Sequence, residues 1–117
     1  MEKAIKEGFV YVMSNPSMPN LYKVGYTCSL KKRIYDLNSY SSTPTPFKLI
    51  YAAKVANAQA DEKLAHSALA ECRVNKKREF FKSKSKIELV KQVRSAISEI
   101  QEEEFQKGFP KKILLEE

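Results

Sequence analysis

The chain is poor in the residues that would place it in several large protein classes. It has one histidine, His66, and two cysteines, Cys28 and Cys72, which lie far apart. Four zinc ligands of the usual kind cannot be drawn from that set, and the natural reading is reduced thiols in a cytoplasmic protein. No stretch approaches the roughly 18 apolar residues of a membrane span. The opening Met1-Glu2-Lys3-Ala4-Ile5-Lys6-Glu7 lacks the apolar segment of a secretory signal. Internal repeats, low-complexity tracts and flexible linkers are absent too. What remains is 117 residues, 43% apolar and 30% charged, the size and balance of one ordinary domain that folds without a disulfide or metal staple. We expect that domain over residues 1–105 and a C-terminal tail over 106–117.

Acidic residues are the scarcer charge. Lys plus Arg number 21 against 14 Asp plus Glu, a formal +7. Residues 1–98 hold 18 basic and 8 acidic side chains, net +10, and residues 99–117 hold 3 and 6, net −3. A basic body with an acidic end fits a polyanion, nucleic acid before an anionic membrane. A lysine-rich solvated surface explains the charge alone equally well.

Gly8 to Met13 is aromatic and β-branched and reads as a strand. Ser14 to Asn20 is dense in turn formers, and Leu21 to Thr27 is a second strand, giving a long-looped hairpin. Ser29 can cap a helix whose apolar face is Leu30, Ile34 and Leu37. Ser39 to Pro46 is a Ser/Thr/Pro loop, and Phe47 to Val55 a third strand. Ala58 to Cys72 reads as a helix with an apolar stripe of Leu64, Ala65, Ala68 and Cys72. Asn75 to Arg78 is a basic turn and Glu79 to Phe81 a short extended piece. A long helix is expected over about residues 85–105, with Ile87, Val90, Val93, Ile97 and Ile100 as its seam and Gly108 and Pro110 beyond its end. The fold class is α/β (α+β): a small three-stranded, mostly antiparallel sheet flanked by helices, in the order β-β-α-β-α-(β)-α.

Strand alternation places Val10 and Val12 on one face, and Tyr11, Lys23, Gly25 and Thr27 together on the other. A lysine beside a tyrosine, with a glycine giving backbone access, can hold a phosphate. The same set is equally the solvated face of an edge hairpin. Tyr22, Tyr26, Phe80 and Phe81 read as core. Arg33 flanks the apolar stripe of its helix and alone is explained as a rim arginine. Glu62 and His66, at i and i+4, are explained as a surface pair.

The ordered set Gly8-Phe9-Val10-Tyr11-Val12, Leu21-Tyr22-Lys23-Val24-Gly25-Tyr26-Thr27 and Leu30-Lys31-Lys32-Arg33 resembles the GIY-YIG nuclease domain. It is nearest the small phage and bacterial branch with K-[IV]-G in the second motif. The resemblance continues through Thr43 to Phe47, Glu62 and His66, and into Asn75 and Arg78 to Phe81, spanning about residues 8–82. It implies a catalytic set of Tyr11, Lys23, Arg33, His66 and Glu79. Gly25, Thr27 and Glu62 belong to the structural motif. Phe9-Val10 replaces the G-I of the first motif and Lys23 the second tyrosine, a variation of scaffold and of branch respectively.

These residues suit phosphodiester hydrolysis. Glu79 is a fit ligand for a hard ion such as Mg²⁺ (or Mn²⁺), which takes few carboxylates and fills its other positions with water and phosphate oxygens. Arg33 can fork onto phosphate oxygens. Tyr11 is the candidate general base, and with a free phenol near pKa 10 it needs a cationic neighbour, for which Lys23 is the candidate. Lys31, Lys32, Lys76, Lys77, Arg78, Lys82 and Lys84 would contact phosphates. The sequence thus leads to a metal-dependent DNA endonuclease of a bacterial or phage-infected cell, with RNA as the second choice of substrate. No membrane partner is expected, and the protein would be a monomer or a weak homodimer through its C-terminal segment. A catalytically weak or inactive nucleic-acid-binding module on the same fold is the rival. A regulatory or toxin-like partner acting through Ile113-Leu114-Leu115 is a third reading.

Overall fold

Phe9 to Met13 form a run with no polar position, which suits a strand covered on both faces. The computed structural model, which describes residues 7–40, 44–74 and 79–98, places that run at the centre of a sheet. Strand β1 (Gly8–Ser14) pairs antiparallel with β2 (Leu21–Thr27) on one side and with β3 (Lys48–Val55) on the other. The register sets Tyr11 opposite Gly25 and Met13 opposite Lys23. The short extended piece is a true strand, β4 (Phe80–Lys82), antiparallel to β2 with Phe80 opposite Lys23. The sheet therefore has four strands, in the order β3-β1-β2-β4, rather than three. The extra pairing is closed by the Val24 amide, which donates to the Glu79 carbonyl at 3.0 Å.

Helix α1 (Leu30–Tyr40) covers one face. Ser29 caps it, its Oγ accepting from the Lys32 amide at 3.3 Å, and Thr27 Oγ1 fixes the turn before it by accepting from the Ser29 amide at 3.1 Å. Leu30 is fully buried against Phe9, Tyr11, Met13, Phe47 and Ala52, with Ile34 and Leu37 packed on the same cluster. At the far end Asn38 Oδ1 accepts from the Phe47 amide at 2.7 Å and ties α1 to the start of β3. The hairpin loop is knotted by Asn15, whose Oδ1 accepts from the Ser17 amide and whose Nδ2 donates to the Thr45 carbonyl at 2.7 Å. Asn20 takes the left-handed conformation (φ 66°) that closes the loop.

The other face carries the larger core, built by Val10, Val12, Val24, Tyr51, Val55 and Phe81 from the sheet and by Ala65, Leu69, Leu89, Val90 and Val93 from two helices. Helix α2 (Ala58–Ala68) starts at Asn57, whose side chain accepts from the Ala60 amide. It stops four residues short of Cys72, where the chain tightens into a 3-10 turn over Ala70–Cys72. Its buried face is Ala58, Asp61, Glu62 and Ala65; of the expected stripe Ala65 is in the core and Cys72 packs against it, whereas Leu64 and Ala68 face solvent. The apolar pattern misleads because two carboxylates lie on the inner side, each with a partner. Helix α3 (Lys86–Ala96) is capped by Ser85 and buries Leu89, Val90 and Val93. It does not run on towards Phe105. At Ile97 the backbone turns extended (φ −106°, ψ 165°), and the Ser98 amide donates to Asp61 Oδ2 at 2.9 Å. Ile97 remains buried at that stop, whereas Ile87 is only half-buried. Ile100, the tail over 106–117 and Ile113-Leu114-Leu115 lie outside the described residues, as do Lys76, Lys77 and Arg78.

Candidate active site

Tyr11 is fully buried on the α1 side of the sheet, with its ring lying across Gly25. A Cβ on Gly25 would stand 2.5 Å from the phenol oxygen and 2.8 Å from the ring carbon bearing it. The glycine is thus required by space. Arg33, half-buried on the first turns of α1, donates from Nε to the phenol oxygen at 2.9 Å. Burial raises the Tyr11 phenol above its ordinary value near 10, with Arg33 pulling it back down and Glu79 and Glu62 adding to the rise. The cation beside Tyr11 is therefore Arg33, not Lys23, and the resting phenol is neutral.

Lys23 is engaged elsewhere. Its Nζ lies 3.1 Å from Glu79 Oε2, with the lysine side chain 12% exposed and the glutamate 35%. The lysine also sits over the Phe80 ring, 5.5 Å from its centroid. The hairpin face that strand alternation left open between phosphate site and solvated edge is covered by α1 over Tyr11, and Lys23 on it is held by Glu79. Glu79 Oε2 also comes within 3.1 Å of the space a Gly25 Cβ would fill. Four of the five expected catalytic residues, Tyr11, Lys23, Arg33 and Glu79, thus converge around Gly25.

Glu62 joins them from α2. It is 8% exposed and hydrogen-bonds to Glu79. Burial, then the Glu79 charge and the shared hydrogen bond, push its carboxyl from 4.5 up to about 7, against the pull of Lys23 and Arg73. It is buried and is therefore not a surface partner of His66, whose ring faces the Val24 carbonyl instead. The sequence held a signal: Ala58, Glu62, Ala65 and Leu69 follow i, i+4, i+7 and i+11, so Glu62 falls inside an apolar stripe.

His66, the fifth residue, faces the backbone. Its Nε2 lies 2.8 Å from the Val24 carbonyl oxygen and its ring packs on Phe81 at 5.1 Å between centroids. Phe81 is core, as expected, and Phe80 packs towards Phe47. Tyr26 is not core but 39% exposed. Thr27 turns into the α1 cap and so sets the helix that carries Arg33. Lys31 and Lys32 are exposed on the first turn of α1, and Lys82 and Lys84 are exposed at and after β4.

Among the described residues no group of three or more His, Cys, Asp or Glu side chains gathers to cage a metal. The half-buried Glu79 carboxylate, with buried Glu62 beside it, nevertheless suits a hard divalent ion, which uses one or two carboxylates and otherwise water and phosphate oxygens. Glu79, the more exposed of the two, is the residue that would hold it. No helix among the described residues is long and apolar enough to cross a membrane.

The model of the T5orf172 domain matches residues 8–101. The chain therefore belongs to that family, whose members are nuclease-like domains of phages and bacteria. No curated protein and no solved structure matches it.

Proposed function

We propose that this member of the T5orf172 domain family is a metal-dependent endonuclease of GIY-YIG type that hydrolyses DNA phosphodiester bonds. The observation that carries the reading is the convergence of Tyr11, Arg33 and Glu79 on the space left by Gly25. Arg33 spends only Nε on the phenol, so its terminal amines are left to fork onto a phosphate. Tyr11 acts as general base once deprotonated, and the Arg33 guanidinium stabilises the phenolate that forms. Lys23 steadies Glu79. A divalent ion (Mg²⁺ or Mn²⁺) held by Glu79 would neutralise charge on the phosphate and on the departing 3′ oxygen. Lys31, Lys32, Lys82 and Lys84, with Lys76, Lys77 and Arg78 of the basic stretch before Glu79, would follow the phosphate backbone, with RNA as the alternative polymer. The setting would be the cytoplasm of a bacterial or phage-infected cell.

The test is purified protein on labelled single- and double-stranded DNA and RNA with Mg²⁺, Mn²⁺ or EDTA, beside Glu79→Gln. The near-isosteric amide should keep the fold and metal-free binding but lower cleavage by orders of magnitude. A folded parent that cuts no nucleic acid with either ion, and whose affinity hardly changes with Glu79→Gln, would instead be a binding module.

A further inference from the structure

Resting on the reading above, we propose that His66 is a positioning residue: it clamps the Val24–Gly25 peptide on which the site is built and transfers no proton itself. A carbonyl oxygen can only accept, so the 2.8 Å contact with Val24 requires His66 Nε2 to carry the hydrogen. That fixes the ring's tautomer and commits its outer nitrogen to the backbone. The carbonyl belongs to the peptide leading into Gly25, whose bare Cα face is where Tyr11 and Glu79 approach each other. The same residue's amide donates to the Glu79 carbonyl at 3.0 Å. Val24 is therefore gripped from α2 through its oxygen and from Glu79 through its nitrogen. The underside of the imidazole rests on Phe81, two residues beyond Glu79 and itself fully buried. One half-buried ring thus links α2 to both strands that bear the site, β2 with Lys23 and Gly25 and the β4 segment with Glu79. Rotation of that peptide would shift the floor beneath the phenol and the Glu79 backbone together. Side-chain misplacement on that scale lowers rates without touching the reacting atoms.

Two substitutions in the full chain separate clamping from proton transfer. Glutamine places an amide N–H at the reach of Nε2, whereas phenylalanine keeps a ring on Phe81 and loses the donor. His66→Gln should cut within about threefold of the parent with an unchanged pH–rate profile. His66→Phe should lose about tenfold or more in kcat with KM little changed, the effect of one missing hydrogen bond felt at the site. Equal loss in both variants, on the order of 10²-fold or more with one limb of the pH profile gone, would make His66 a proton-transfer group and overturn the proposal. Two readouts need no cleavage. The chain has one histidine, so the ¹⁵N spectrum of the parent shows a single imidazole, which should be the Nε2–H form. The Val24 and Gly25 amides should exchange faster in His66→Phe than in His66→Gln. An Nδ1–H ring, or equal exchange in the two variants, refutes the clamp even if the parent cuts nothing, a result that would itself count only against the nuclease reading.

Discussion

Adding one methyl group at Gly25 tests the site at its tightest point. The new Cβ in Gly25→Ala would stand 2.5 Å from the Tyr11 oxygen and 2.8 Å from its ring carbon, where carbon contacts settle at about 3.5 Å or more. The phenol cannot swing away, because its ring is enclosed by Phe9, Met13, Leu30, Phe47 and Ala52. Either β2 separates from β1 or the ring tilts by close to an ångström. Overpacking of this kind costs about 1–3 kcal/mol, and each kcal/mol lowers Tm by roughly 4 °C in a domain near this size. The displaced oxygen also gives up the 2.9 Å bond from Arg33, and an ångström of misplacement lowers cleavage by about 10²-fold. Binding to DNA in EDTA should persist, since the exposed lysines are untouched. Urea unfolding and a cleavage time course read the two effects separately. Repeating the substitution in a Tyr11→Phe background removes the closest contact, so the stability penalty should shrink there. An alanine variant with parental midpoint and parental rate would refute the geometry, and an equal penalty in both backgrounds would move the clash off the phenol oxygen.

Tyr11→Phe should abolish nearly all cleavage and spare binding. In the parent the cleavage rate should climb with pH through the neutral range and show no plateau below 10, because burial holds the phenol above that value. Arg33→Gln should move this limb further up, whereas Lys23→Met, which frees Glu79, should lower the rate without moving it. The Glu62 carboxyl sits near 7 in the fold against 4.5 ordinarily, so the folded protein favours its protonated form. That contribution is fully present below about pH 4.5 and is lost as pH rises to about 7, on the order of 2 kcal/mol after screening. Glu62→Gln should flatten that slope in urea titrations from pH 4 to 8. Lys31→Ala with Lys32→Ala should weaken DNA binding alike on all sequences and reduce the salt slope by about 1 per lost phosphate contact; an unchanged slope would remove α1 from the DNA path.

The hairpin and first helix were legible because local rules and tertiary packing agree there. Leu21 to Thr27 forms the expected strand and Ser29 caps the expected helix. Alternation alone put Tyr11, Lys23 and Gly25 on one face. It could not tell whether that face was wet, because the answer lies in how α1 returns over the sheet, a contact between distant segments. The partner of Tyr11 was misread for the same reason. Lys23 is near in the hairpin pattern, but β4 brings Glu79 to it across 56 residues, and the lysine pairs with the stronger anion. The helix ends were misread where side chains override apolar spacing: Asp61 captures the Ser98 amide and α3 stops.

The site owes its composition to a gap between two layers. Tyr11 and Arg33 belong to the α1 side of the sheet, and Glu62 and His66 to the α2 side, so a continuous sheet would keep the two pairs apart. Glu79 precedes β4 at the sheet's margin, where its side chain interacts with Lys23, Arg33 and Tyr11 from one layer and with Glu62 from the other. Gly25 clears the space between the phenol and that carboxylate. A larger residue there would push the phenol and the carboxylate apart and divide the polar cluster in two. The tyrosine, the glycine and the glutamate of this cluster accordingly come from three separate strands or strand ends. What fixes their spacing is the sheet register, Tyr11 opposite Gly25 and Lys23 opposite Phe80. A one-residue slip of β2 would turn Gly25 to the other face and set Val24 or Tyr26 against the phenol.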